Sequence, residues 1–208
     1  MGYTFILIII SLISIGFLIL LKKKQQKSET LSFVSTLLAT LFGVLLAVNL
    51  SNRENLKKEK ADTVKLLKSA KNIIDNTFDY TKGLGTYIDT IKKDSSYTPN
   101  LINKLKLDNP IPYPDLMENI ISNEVVSKNI SEYSHNFIFS SLINLRKIAN
   151  YSSIDTYKFL LKELEFIIDL EIKYQEREID EEELEKMYNK GKERLEEEFP
   201  HDSKIIID

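Results

Sequence analysis

The chain has 208 residues, a net charge of −3 and no cysteine, which excludes disulfides, thiolate metal sites and a cysteine nucleophile. That length holds one membrane hairpin and one soluble domain of about 150 residues, within the usual range of domain size, and a second soluble domain is not expected. The near-neutral total hides a polarised distribution, with lysines concentrated in residues 52–71 and carboxylates in residues 163–198.

Two uncharged apolar stretches open the chain, Phe5 to Leu21 and Leu31 to Leu50, separated by Lys22-Lys23-Lys24-Gln25-Gln26-Lys27. At about 1.5 Å per helical residue, each stretch approaches the roughly 30 Å of a bilayer's hydrocarbon core. The pattern predicts a transmembrane hairpin over residues 1–50, with helices at about 4–21 and 31–50. A cleaved signal peptide fits poorly: the lysines follow the first apolar run instead of preceding it, and a second run comes at once. Within the second stretch Ser35, Ala39, Gly43 and Ala47 recur every fourth residue, so they share one helix face. Small residues on such a face let another helix approach closely in lipid, either the first helix of the same hairpin or a second copy of the chain. Thr36 and Thr40 lie beside this stripe and are placed to hydrogen-bond across it.

A basic segment follows directly, with Arg53, Lys57, Lys58 and Lys60 nearest the membrane and Lys65, Lys68 and Lys71 beyond. Lysines flanking a span are expected to face anionic headgroups on the cytoplasmic side. Because the turn lysines must lie on the opposite side, the longer flank, joined by the N-terminal amine, favours a cytoplasmic soluble domain.

Apolar residues at Val64, Leu67, Ala70, Ile74, Thr77 or Phe78, Leu84, Ile88 and Ile91 continue with helical spacing. The second span is therefore expected to run out as a stalk and first bundle helix over residues 51–93, with a hinge near Ser51-Asn52. Residues 94–114 form a connector with a short helix around Leu101 to Leu105, closed by Asn109-Pro110-Ile111-Pro112-Tyr113-Pro114. The remaining bundle helices occupy residues 115–200. One is expected from Asp115 to Ala149, bent near Ser122-Asn123. Another, capped by Ser153 or Asp155, carries the stripe Phe159, Leu160, Leu164, Ile167, Ile168 and Tyr174. A last helix starts at Asp180 ahead of Glu181-Glu182-Glu183 and offers only Leu184, Met187, Leu195 and Phe199 to a partner. Residues 201–208 are a tail. The fold class is all-α, a two-helix transmembrane hairpin followed by an antiparallel helical bundle.

Chemistry-bearing motifs are scarce. Glu132-Tyr133-Ser134-His135 and Glu198-Phe199-Pro200-His201 both match Glu-x-x-His, the paired motif of di-metal helical bundles, but Pro200 ends the helix before His201. Arg194 and His201 have the Arg-x6-His spacing that resembles the nuclease motif of HEPN-type ribonucleases, yet the intervening glutamates repel a phosphate backbone. No phosphate-cradling glycine loop, nucleophile elbow or zinc spacing occurs. The expectation is a non-enzymatic protein without catalytic residues, metal or cofactor, and without direct nucleic-acid binding.

The membrane hairpin carrying Ser35-Thr36-Leu37-Leu38-Ala39-Thr40-Leu41-Phe42-Gly43-Val44-Leu45-Leu46-Ala47, the lysine-rich stalk and the small helical bundle resemble the two-transmembrane effectors of bacterial anti-phage systems, of retron or abortive-infection type. The resemblance implies a homo-oligomeric inner-membrane toxin, held silent by a cytosolic protein or ribonucleoprotein partner and released to disturb the bilayer, so that infected cells die or stop growing. The alternative is a membrane-anchored helical scaffold or regulatory subunit with no activity of its own.

Overall fold

The computed structural model describes Gly16 and residues 28–93, 99–149 and 153–199. All regular structure among them is helical: α1 Ser28–Lys92, α2 Pro99–Asp108, α3 Asp115–Ile121, α4 Glu124–Asn129, α5 Glu132–Ala149, α6 Ile154–Gln175 and α7 Glu181–Glu198. The chain divides into two compact units, Met1–Lys58 and Glu59–Asp208. The expected first span at 4–21, the lysine turn and the tail 201–208 lie outside the described residues, apart from Gly16. A long apolar helix near the N-terminus is thus present, while the hairpin is not shown.

α1 passes through Ser51-Asn52 without interruption, so the expected hinge is absent as a break in the helix. Serine and asparagine each cost a helix only about half a kcal/mol. Leu50, Arg53 and Glu54, all good helix formers, adjoin the pair.

In the second unit α6 is the central element. Tyr157, Phe159, Leu160, Leu161, Leu164, Ile167, Ile168 and Leu170 are all buried, as expected of a helix that is apolar around most of its circumference. It packs against α5 and α7. α1 contributes Leu67, Ala70 and Ile74 to the same core, and farther on Leu84 and Ile88 form a smaller cluster with Ile111 and Ile154. This stripe matches the three-four spacing read from the sequence, with Thr77 and Thr81 also buried in line with it.

The single helix expected over residues 115–149 is instead three. The bend at Ser122-Asn123 is a true break, where Asn123 caps α4 by accepting from the Val125 N–H at 3.0 Å. A second break, unforeseen, falls at Ile130-Ser131. There Ile130 is extended and the Ser131 hydroxyl accepts from the Ser134 N–H at 3.2 Å, starting α5. Short polar side chains that bond nearby backbone groups stabilise such a restart against helix continuation. Ser153 and Asp180 cap α6 and α7 in the same way.

Between α6 and α7 the chain reverses through Arg177, whose φ of 64° is left-handed. The proline-rich connector is tied down by two tyrosines. Tyr157 donates its hydroxyl to Pro112 O at 2.8 Å, and Tyr113 donates to Glu118 at 2.5 Å while the Arg146 guanidinium lies 4.7 Å from the Tyr113 ring. In α7 the sequence stripe missed its main anchor: Tyr188 is buried beside Leu184, whereas Met187, Leu195 and Phe199 are partly buried. The Tyr188 ring packs on Tyr133, Phe137 and Phe166. Gly191 is required by a close approach, since a Cβ there would overlap the Phe166 ring.

Candidate functional site

In the first unit, α1 carries a segment that is apolar yet covered by nothing described. Its most apolar window has a mean hydropathy of 2.1 with none of it buried, and Phe33, Leu37, Val44 and Leu50 are each more than half exposed. Soluble proteins rarely leave an apolar surface of this extent in contact with water. By length and composition this helix suffices to cross a membrane.

Ser35 is half-buried, and Ala39, Gly43 and Ala47 are exposed. A Cβ built on Gly43 would meet no atom within 4 Å, so this face is open. Thr36 and Thr40 do not reach across it. Their hydroxyls donate at 2.9 Å to the carbonyls of Ser32 and Thr36 one turn back, because the helix itself supplies the nearest acceptors.

The basic segment does not act as one surface. Arg53, Lys57 and Lys58 are exposed in the first unit, whereas Lys60 belongs to the second and lies half-buried with its Nζ 5.9 Å from the Tyr174 ring centroid. Lys68 and Lys71, expected to face headgroups, are engaged by acids of α6 and the turn after it. Lys68 pairs with Glu176 at 3.1 Å, and Lys71 pairs with Asp169 at 2.6 Å and Glu165 at 3.4 Å. Burial opposes the charge of Lys71, but Asp169 and Glu165 outweigh it and hold the ammonium above the ordinary lysine value.

Beside them Asp75 has its pKa raised above the ordinary 3.8, by burial first and by the Glu165 charge second, against smaller opposing effects of Lys162 and Lys71. A carboxyl whose folded value is raised destabilises the fold while ionised. That penalty is in force above the folded value, shrinks as pH falls through it, and is gone below the unfolded value. Asp75→Asn should therefore raise the melting temperature at neutral pH by a few degrees, with the gain disappearing in melts recorded below pH 3.8. An equal gain at both pH values would contradict this origin.

The least anticipated feature is a buried carboxylate. Glu171 on α6 is fully buried and takes its hydrogen bonds from three donors: the Ser131 N–H at 3.2 Å, the Ser131 hydroxyl at 2.7 Å and the Gln175 side-chain amide at 2.7 Å. The same amide donates to Asn129 O at 2.6 Å. Glu171 thus faces the amino end of α5, where the helix dipole favours negative charge, and joins α6 to the α4–α5 junction. A second buried carboxylate, Glu163, accepts from the Tyr188 hydroxyl at 2.6 Å and lies 3.8 Å from Lys192. Burial and then the Glu163 charge push the Tyr188 phenol far above its ordinary value, so it stays a donor. Sequence periodicity passed over both acids, although carboxylates inside an otherwise apolar stripe are themselves a signal of buried partners.

Of the motif histidines, His135 is half-buried and packs at a tilt against Phe139 with ring centroids 4.8 Å apart, and His201 lies outside the described residues. Among the described residues no grouping of three or more His, Cys, Asp or Glu side chains could hold a metal ion.

Fold and segment together define a class: an all-α protein with a helical bundle and, among the described residues, one helix long and apolar enough to cross a bilayer. No protein-family model matches the chain, and no similar curated protein or solved structure was found.

Proposed function

We propose that the chain is a non-enzymatic effector of the bacterial inner membrane, acting as a toxin of an anti-phage system. In this view it is a multi-pass protein with its bundle in the cytoplasm. A cytosolic protein or ribonucleoprotein holds the bundle silent, and release lets copies assemble through the Ser35/Ala39/Gly43/Ala47 face and disturb the bilayer. The observation that carries the proposal is the double role of α1, whose first part exposes an apolar segment and whose later part builds the core with Leu67, Ala70 and Ile74. A change in the bundle is then felt by the same helix that meets lipid.

Induced expression in cells loaded with a potential-sensitive dye tests the proposal. Depolarisation and growth arrest are expected, and unchanged potential with unchanged growth, even under phage challenge, would sink it. Assembly has its own test. Gly43→Leu should lower energy transfer between labelled copies in vesicles by about tenfold, because a leucine there blocks close backbone approach. Transfer equal to wild type would remove that face from the interface.

A second reading, a membrane-anchored scaffold, is favoured by exposed Leu116, Phe139 and Ile143 on the bundle, which suit a protein partner. A scaffold would retain a partner in pull-downs and show no toxicity alone.

A further inference from the structure

We infer that α4 and α5 form a two-state element: Glu171 locks the kink at Ile130-Ser131, and without that lock the two helices join into one straight helix. Nothing in the local sequence compels the break. From Asp115 to Ala149 there is neither glycine nor proline, and Val126, Ile130, Tyr133 and Phe137 keep three-four spacing across the kink. The interruption is as short as one can be. The Ile130 N–H still bonds to Val126 O at 2.9 Å, and the Ser131 carbonyl already accepts from the His135 N–H at 2.9 Å. Ile130 keeps a helical φ of −64° and departs from the helix in its ψ of 144°.

What holds the kink comes from α6. Glu171 takes the Ser131 N–H and hydroxyl, and the Gln175 amide takes Asn129 O. These are groups that a continuous helix would use, since the Ser131 N–H would reach the Ser127 carbonyl and the Asn129 carbonyl would receive the Tyr133 N–H. The kinked form also leaves one group unsatisfied. The Ser134 hydroxyl is buried without a hydrogen-bond partner among the described residues. In α1 the hydroxyls of Ser69, Thr77 and Thr81 donate to the carbonyl four residues back. For Ser134 that carbonyl belongs to Ile130, whose extended ψ turns it away. Straightening returns it, together with backbone bonds for the N–H groups of Ser131 to Ser134. The lock therefore opposes the local preference of the segment.

Burial decides which part moves. α5 buries seven side chains, among them Ile138, Leu142, Leu145 and Ile148, whereas α3 and α4 together bury only Met117, Ile121 and Val126. Straightening thus swings α4 onto the axis of α5. In the kinked form α4 grips α1 at the start of the second unit: the Thr63 hydroxyl donates to Val125 O at 3.3 Å, and Lys128 pairs with Glu59 at 3.2 Å. Both links break when α4 leaves. On the effector reading proposed above, on which this step alone rests, straightening loosens the bundle's hold on α1, and a silencing partner is one that keeps the kink.

Distances between spin labels in the full chain in detergent test the inference, since the chain has no cysteine of its own. Ser127→Cys with Lys147→Cys spans the kink, and Asn136→Cys with Lys147→Cys lies within α5, all at exposed positions. With Glu171 present the first pair is expected to be closer than the roughly 30 Å of twenty straight helical residues. Glu171→Gln should move it to about 30 Å while the second pair stays near about 16 Å. Ser131→Ala, which removes the cap and one bond to Glu171, should give the same long distance in a fraction of the molecules. An unshifted first pair in both variants overturns the inference. So does broadening of both pairs in Glu171→Gln while Ser131→Ala keeps the original distance, because Glu171 then only holds the fold. Glu171→Gln should also depolarise cells at a lower expression level than wild type. A lengthened first pair without that gain keeps the two states and overturns their link to the effector reading.

Discussion

Glu171→Ala should destabilise the bundle by about 3–5 kcal/mol, a large fraction of the roughly 5–15 kcal/mol that holds a typical domain together. The substitution leaves the Ser131 N–H, the Ser131 hydroxyl and one bond of the Gln175 amide without their acceptor in a fully buried site. Each unsatisfied buried group costs about 1–3 kcal/mol, and the truncated side chain adds a void. Glu171→Gln tests the chemistry at constant volume. One of its two terminal atoms becomes a donor facing donors, so it should lose about 2 kcal/mol or more. As a reference, Lys186→Ala removes an exposed pair with Glu182 and should cost under about 1 kcal/mol. Denaturant unfolding of the full chain in detergent, followed by near-ultraviolet dichroism of the tyrosines, measures all three without interference from tryptophan, which the chain lacks. A loss below about 1 kcal/mol for Glu171→Ala would mean that the seat is dispensable.

A lysine at the middle of the apolar segment should be nearly as costly in the membrane. Leu41→Lys is expected to shift insertion of α1 by about 2.5–3.5 kcal/mol, on the order of a hundredfold in the ratio of inserted to non-inserted helix. The cysteine-free sequence makes this directly readable. In inside-out membrane vesicles, a single Val44→Cys should be shielded from a membrane-impermeant maleimide, whereas Asp62→Cys, at an exposed position of the bundle, should label freely. Adding Leu41→Lys should then expose Val44→Cys. Equal labelling at the two positions in the unmodified background would show that α1 does not cross the bilayer, whatever residues 4–21 do.

Local pattern carried the sequence reading a long way where the physics is local. The stripe Leu67, Ala70 and Ile74 and the stripe Phe159 to Ile168 follow from helical periodicity and burial alone. Asp180 was recognisable as a cap, and the α6 cap was narrowed to Ser153 or Asp155, because a cap bonds its own first turn; the structure selects Ser153. What escaped depends on partners distant in sequence. The break at Ile130-Ser131 is stabilised by Glu171, forty residues away. The burial of Tyr188 depends on Glu163 and on rings from α5 and α6. Lys68 and Lys71 read as membrane-facing until Glu176 and Asp169 meet them. For the membrane face, the sequence gives composition and phase, and the structure adds that no described element covers Gly43.

The back-bonded hydroxyls of Thr36 and Thr40 bear on how such a segment enters a bilayer. Each proton is already held by a carbonyl of the same turn, so neither group needs an external acceptor on leaving water. For the translocation machinery these threonines then behave almost as valines. On the membrane reading proposed above, the helix can pass into lipid without waiting for a hydrogen-bond acceptor on another copy, so the assembly proposed for it can follow its own insertion.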